Sequence, residues 1–175
     1  MDQRKPNRLK NYDYAQNGYY FVTICTHNRQ EWFGKIKNGA MELNRNGEIV
    51  LIGWNDLPKH YRNIALDEFI VMPNHVHGIV VIDNVGNGLK PFPTNETQNP
   101  RNRGLPEIIR GLKTFSSRRI NETMKIGNKF HWQKSFYDHV IRNEMSLNHI
   151  REYIRNNPKQ WDNDRENVKN RREIL

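Results

Sequence analysis

Cysteine is almost absent from this chain of 175 residues. The single Cys25 cannot form an intramolecular disulfide, and its place inside the apolar run YYFVTICT assigns it a small buried side chain. Long apolar runs are missing too. The longest are of the size of GIVVI, and the charged start MDQRKPNRLK has no apolar segment behind it to act as a secretion signal. These absences predict a soluble, cytoplasmic protein. No glycine-rich phosphate loop is present, so no nucleotide cofactor is expected, and no local grouping supports a serine or cysteine hydrolase triad. Acidic residues are outnumbered: 19 Asp+Glu stand against 28 Lys+Arg, a formal net charge of +9.

The basic excess is local. Arg4, Lys5, Arg8 and Lys10 open the chain, and Arg101, Arg103, Arg110, Lys113, Arg118 and Arg119 form a second cluster in which Glu107 is the one acid. Such concentrations attract polyanions and make binding depend on salt, although a basic face also serves as a solubilising surface. Nucleic acid is the partner class that this charge favours. No basic amphipathic segment with a broad apolar face is present, so a membrane partner is not expected.

A hydrophobic content of 35% supplies one core, which predicts a single domain over 19–161, with a basic arm over 1–18 and a polar tail over 162–175. YYFVTICTH reads as a strand. NGEIVLIGWNDLPKHY reads as a helix capped by Asn46, with Ile49, Ile52 and Leu57 at helical spacing. IALDEFIVM and HVHGIVVID read as two strands of a hairpin turning at Pro73-Asn74. The stretch near 84–104, dense in Asn, Gly, Pro and Thr, reads as a flexible loop. LPEIIRGLKTFSSRRINETM reads as a helix with Ile108, Leu112 and Phe115 inward. KFHWQKSFYDHVIR reads as a strand and its exit, in which Trp132 and Phe136 pack the last helix against the sheet. SLNHIREYIRNNP is a final helix with Ser146 as cap, a stripe of Leu147, Ile150 and Ile154, and Pro158 as stop. The first six elements spell βαββαβ, an α+β ferredoxin-like sandwich: an antiparallel sheet with helices on one face, plus a C-terminal helix.

The segment FIVMPNHVHGIVVID carries His75 and His77 with Val76 between them. Residues two apart in a strand point to one face, so both imidazoles line one surface. An isolated His-x-His is equally a pair of hydrogen-bonded residues or the start of a metal site. A structural zinc site is disfavoured, because it wants four ligands and usually cysteines. On the final helix His149, Tyr153 and Asn157 are spaced by four and share a face. Asn157 with the two imidazoles makes a mixed N/O set with open positions, suited to Mg²⁺ or Mn²⁺. Tyr153 stands one turn away, where a tyrosine beside an apolar stripe is also simply packing.

MPNHVHGIVV, preceded by LDEFIV and followed by WQKSFYDHVIRNE and IREYIRNNPKQW, resembles the REP-associated tyrosine transposases, single-tyrosine transposases of the HUH superfamily. The resemblance runs from GYYFVTICTHNR to NNPKQW. It implies metal-dependent cleavage and transfer of single-stranded DNA beside hairpins through a covalent 5′-phosphotyrosine, in a monomer or homodimer associated with the nucleoid. It implies Tyr153 as the nucleophile and His75, His77 and Asn157 as metal ligands. Some relatives carry glutamine at the last position. Tyr137 has no ligand partner four residues on, where Ile141 stands. Arg101, Arg103, Arg110, Lys113, Arg118 and Arg119 become candidate phosphate contacts, with Arg4, Lys5 and Arg8 as an arm that follows a hairpin. Glu144 and Glu152 are near Tyr153 only in sequence, and His139 is a marginal candidate. Two other readings compete: a non-catalytic hairpin-DNA-binding protein of the same fold, and an RNA-binding ferredoxin-like domain, which would carry aromatics on its central strands.

Overall fold

The computed structural model describes residues 12–84, 103–124 and 129–171. Strands β1 (Gly18–Cys25), β4 (Ile64–Val71), β5 (His75–Ile82) and β6 (Tyr137–Ile141) form a four-stranded sheet in the order β4-β5-β1-β6. Every neighbouring pair is antiparallel. β5 thus separates β1 from β4, the split βαβ arrangement expected of a ferredoxin-like α+β fold. Between β1 and β4 lie a hairpin of β2 (Gly34–Lys37) and β3 (Ala40–Leu43), then α1 (Arg45–Asn55) and α2 (Leu57–His60). α3 (Leu105–Glu122) joins β5 to β6, and α4 (Glu144–Asn156) follows. Among the described residues, no helix is long and apolar enough to cross a membrane.

Strand alternation sorts the sheet into two faces. Tyr20, Val22 and Ile24 of β1 and Val76 and Val80 of β5 share the main core with Val50 and Trp54 of α1 and with Ile108, Ile109 and Leu112 of α3. Phe21, Ile79 and Ile141 point the other way and meet Leu147 and Ile154 of α4. Helices on one face was the expectation; α4 covers part of the second face as well. Gly78 is required in β5 because Trp54 lies flat there: a Cβ at that position would stand 2.5 Å from the indole. The indole in turn stacks on Phe69, with ring centroids 4.2 Å apart.

Local chemistry moves several boundaries from their expected places. α1 is capped by Asn44, whose side chain accepts from the backbone N–H groups of Asn46 and Gly47, so Asn46 lies inside the first turn. α4 is capped by Asn143, which accepts from Ser146 N at 2.8 Å, so Ser146 is the bonded residue and not the cap. The β2–β3 hairpin escaped the sequence reading although Asn38-Gly39, both at positive φ, is a strong hairpin turn. Trp132 and Phe136 pack in the main core beside α3, not under α4: Ser116 of α3 offers the oxygen that accepts the indole N–H of Trp132 at 2.9 Å.

The ends also differ from expectation. Tyr14, in the stretch read as a basic arm, is buried in the main core, while residues 1–11 lie outside the described residues. The loop near 84–104 lies almost wholly outside them too. From the expected tail, Asp164, Glu166 and Asn167 are buried, held by a 3-10 run Asn157–Asn163 anchored on Trp161.

Candidate active site

The β1–β5 register sets Thr23 opposite His77 and Cys25 opposite His75. Both histidines are fully enclosed, at 0% and 2% exposure. Asn74 in the preceding turn orients His75. Its amide nitrogen donates to the backbone oxygens of Arg29 at 3.1 Å and Glu166 at 2.9 Å, leaving Oδ1 to accept from His75 Nδ1 at 2.8 Å. That assignment puts the proton on Nδ1 and a lone pair on Nε2. His77 is held at Nδ1 by the Thr23 hydroxyl, 2.9 Å away. The two Nε2 atoms face each other at 3.0 Å.

α4 carries Tyr153 to this pair. Its ring meets Phe21 edge-on, with centroids 6.1 Å apart, and its hydroxyl lies 3.3 Å from His77 Nε2. Tyr153 is 40% exposed, so the phenol is open to solvent on its outer side. One turn later Asn157 is buried, at 3% exposure. Its amide nitrogen donates to Asp164 Oδ2 at 3.1 Å. Its carbonyl Oδ1 has no hydrogen-bond partner among the described residues. Asp164 was not foreseen as a site residue. Its carboxylate lies with both imidazoles in a cluster whose ligand atoms are all within 4.8 Å of one another. The backbone N–H of Glu166 fixes Asp164 Oδ1 at 2.6 Å.

Burial governs the electrostatics. It pushes His75 down to about 3, helped by the positive charges of Arg29 and Arg165. It pushes His77 well below the usual imidazole value, aided by His75 and opposed by Asp164. Both rings are therefore neutral at pH 7, the form that ligates metals. The Tyr153 phenol is raised by burial and by Asp164, while Arg165 and the Asn157 amide act in the opposite direction. Two neutral imidazole nitrogens, an orphaned amide oxygen and a carboxylate, with no thiolate among them, fit an oxygen-seeking divalent cation such as Mg²⁺ or Mn²⁺.

A sequence profile described as "Transposase IS200 like" matches residues 97–157, the stretch that ends with Tyr153 and Asn157. A protein of Haemophilus influenzae Rd, called only an uncharacterized protein, is 38% identical over 172 residues, covering 94% of this chain and 93% of that one. Over residues 97–157 the chain is similar to the IS200-like transposases. The structure of a REP-associated tyrosine transposase bound to a REP hairpin shares the fold: TM-score 0.58, 17% identity, 88% of this chain and 73% of that one covered. That similarity to the IS200-like transposases supports a role in DNA transposition and a DNA-cleaving activity.

His75, His77, Tyr153 and Asn157 converge, whereas His149, Glu144, Glu152 and His139 are exposed. The candidate phosphate contacts do not gather at the site. Arg110, Lys113, Arg118 and Arg119 belong to α3, which packs on the opposite face of the sheet from the histidines. Arg103 and Arg110 pair with Glu107, and Arg118 and Arg119 both stand 3.9 Å from Glu122. Arg103, Arg110 and Arg118 rim a cavity of about 500 Å³ between α1, α2 and α3, on the same remote face. Lys113 donates to the backbone oxygens of Gln133 and Ser135 at 2.8 and 2.9 Å, so it ties down a loop. Arg4, Lys5, Arg8 and Arg101 lie outside the described residues.

Proposed function

We propose that the protein is a divalent-metal-dependent endonuclease and strand transferase for single-stranded DNA, of the REP-associated type, acting beside hairpins in the nucleoid. The observation that carries this reading is the Tyr153 hydroxyl, 3.3 Å from His77 Nε2 in a centre where Asn157 Oδ1 is buried and unpaired. A bare DNA-holding surface has no physical need for an oriented phenol against a pair of neutral imidazoles.

His75, His77 and Asn157 would hold the ion, with Asp164 as an additional carboxylate oxygen. A bound divalent ion supplies positive charge that polarises the scissile phosphate and favours phenolate. The Tyr153 oxygen attacks phosphorus in line and loses its proton to solvent on its exposed side. The new O–P bond leaves the 5′-phosphate on the protein, and the P–O3′ bond breaks. The departing 3′-oxygen takes up a proton as a free hydroxyl. Because the phosphotyrosine ester keeps the bond energy, a 3′-hydroxyl can reverse the step and join strands with no nucleotide cofactor.

The test is incubation of the protein with end-labelled hairpin-bearing single strands and Mn²⁺ or Mg²⁺. A protein–DNA adduct that survives denaturant and disappears with chelator is expected. Its absence across a library of hairpins with randomised flanks would overturn the reading.

A further inference from the structure

A second cavity, of about 290 Å³, opens on the active face of the sheet between the strand ends of β1 and β6 and the 165–166 segment. That size sits at the small end of ligand pockets, which run from about 300 to 1,000 Å³. Thr23 lines it, and Thr23 is also the residue that holds His77 Nδ1. Tyr153 approaches the same ring at Nε2. The cavity thus begins at the end of the His77 ring remote from the phenol. In an in-line displacement the leaving oxygen departs on the side away from the nucleophile.

We infer that this cavity is a nucleotide subsite that takes the base carrying the departing 3′-oxygen, stacked on Tyr137 and edged by Gln133 and Ser135. The inference rests on the cleavage reading above and extends it to substrate selection. Tyr137 is 44% exposed and lines the cavity at the start of β6. Its ring is set by an edge contact with Phe21, with centroids 6.4 Å apart, and Arg165 stands over it at 5.8 Å. An aromatic ring with a guanidinium over it suits a nucleotide, whose base offers π faces and whose phosphate is anionic. Gln133 and Ser135 add hydrogen-bonding groups for a base edge. Their backbone oxygens are tied by Lys113, so this wall is built before any DNA arrives.

The experiment uses 2-aminopurine placed at the nucleotide 5′ to the cut, in a hairpin strand chosen from the randomised library by wild-type cleavage. In the Tyr153→Phe background, which binds without cutting, its fluorescence is expected to be quenched on binding. Adding Tyr137→Leu or Tyr137→Ala should abolish the quench, and Tyr137→Phe should keep it. With Tyr153 intact, an abasic sugar at that nucleotide should slow single-turnover adduct formation on the order of tenfold. Tyr137→Leu should cost about as much on the normal strand and nothing further on the abasic one. Gln133→Ala should flatten the base preference at that position. An adduct that forms at equal rates on abasic and normal strands, with the quench unchanged in Tyr137→Leu, would overturn the subsite and leave the cleavage reading standing. Failure of the wild type to form any adduct would overturn both.

Discussion

Arg151 of α4 grips Asp67 of β4 with both arms of its guanidinium: Nε donates to Oδ1 at 2.9 Å and Nη2 to Oδ2 at 2.5 Å. The adjacent acid, Glu68, accepts from Arg155 Nε at 2.8 Å, one turn further along the same helix. Consecutive strand residues ordinarily face opposite ways, but the β4–β5 register slips between Leu66 and Phe69. That bulge lets both acids meet α4. Tyr153 lies between the two arginines in sequence, so the double clasp fixes the rotation and height of the helix that carries the phenol.

Arg151→Ala is accordingly expected to act on geometry more than on folding. The pair is only partly shielded, so its loss should cost about 1 kcal/mol of stability by denaturant titration. Adduct formation should fall by more than hairpin affinity does, because the tyrosine loses its register with His77. Asp67→Asn should behave alike, and the double variant should be no worse than either single. Equal losses in binding and in adduct formation would mean that the clasp serves stability alone.

The pH dependence follows from the enclosed histidines. His75 has a folded value of about 3 against 6.5 for the free side chain, and His77 is also well depressed. Between those limits the unfolded chain binds protons that the native state excludes. Their contribution to stability is therefore complete above pH 6.5 and is lost as pH falls toward 3. At pH 5 the loss is about 2 kcal/mol for His75, and His77 adds to it in the same direction. Thermal melts of the chelator-treated protein should shift down steadily from pH 7 to pH 5, and a His75→Gln, His77→Gln variant should show a flatter slope. A melting temperature indifferent to pH over that window would mean that the rings are open to water.

Much of this site could be read from spacing, and the part that could not has a physical reason. Period-two alternation in β5 and the four-residue step from Tyr153 to Asn157 are local regularities, so the residues that share a face are fixed by backbone geometry alone. Asp164 carries no such signature. It reaches the histidines because Trp161 buries itself beside His75, with ring centroids 6.0 Å apart, and because Asn74 captures the backbone of Glu166. Both are contacts across distant parts of the chain. The arginines of α3 lie away from the histidines for a related reason: charge clustering in sequence says nothing about which face of the sheet a helix covers. The β2–β3 hairpin was legible in Asn38-Gly39, but its strands are only four residues each and carry a weak apolar pattern.

Asn157→Ala and Asp164→Asn test the ligand set without relying on turnover. Each should weaken Mn²⁺ binding on the order of tenfold or more, read by the free-ion signal in electron paramagnetic resonance. Excess Mn²⁺ should recover part of the adduct in both. Unchanged Mn²⁺ affinity in Asp164→Asn would remove it from the ligand set and leave it the role of orienting the Asn157 amide.

Lys113 separates a phosphate contact from a structural tie. A lysine that touches DNA phosphate, once removed, lowers the salt slope of binding by about one unit. Lys113→Ala should leave that slope unchanged, because the ammonium is bonded to the oxygens of Gln133 and Ser135. It should instead raise protease sensitivity in the 133–135 loop and reduce base preference beside the cut. A drop of a full unit in the salt slope would return Lys113 to the DNA interface.

The two tyrosines that flank Phe21 give the sharpest test of the nucleophile. Tyr153 and Tyr137 both reach the Phe21 ring, at 6.1 and 6.4 Å between centroids, but only Tyr153 brings its hydroxyl to His77. Tyr153→Phe keeps the ring and its packing and deletes the one atom that can attack phosphorus. Folding and hairpin binding should persist while the covalent adduct vanishes, whatever the Mn²⁺ concentration. Tyr137→Phe keeps the stacking face and deletes a hydroxyl that does no chemistry, so its adduct should form at the wild-type rate. One denaturing gel across a metal titration compares them. An adduct in Tyr153→Phe, or its loss in Tyr137→Phe with the fold intact, would move the nucleophile from α4 to β6 and reassign the cavity beside Thr23 from base recognition to the chemistry itself.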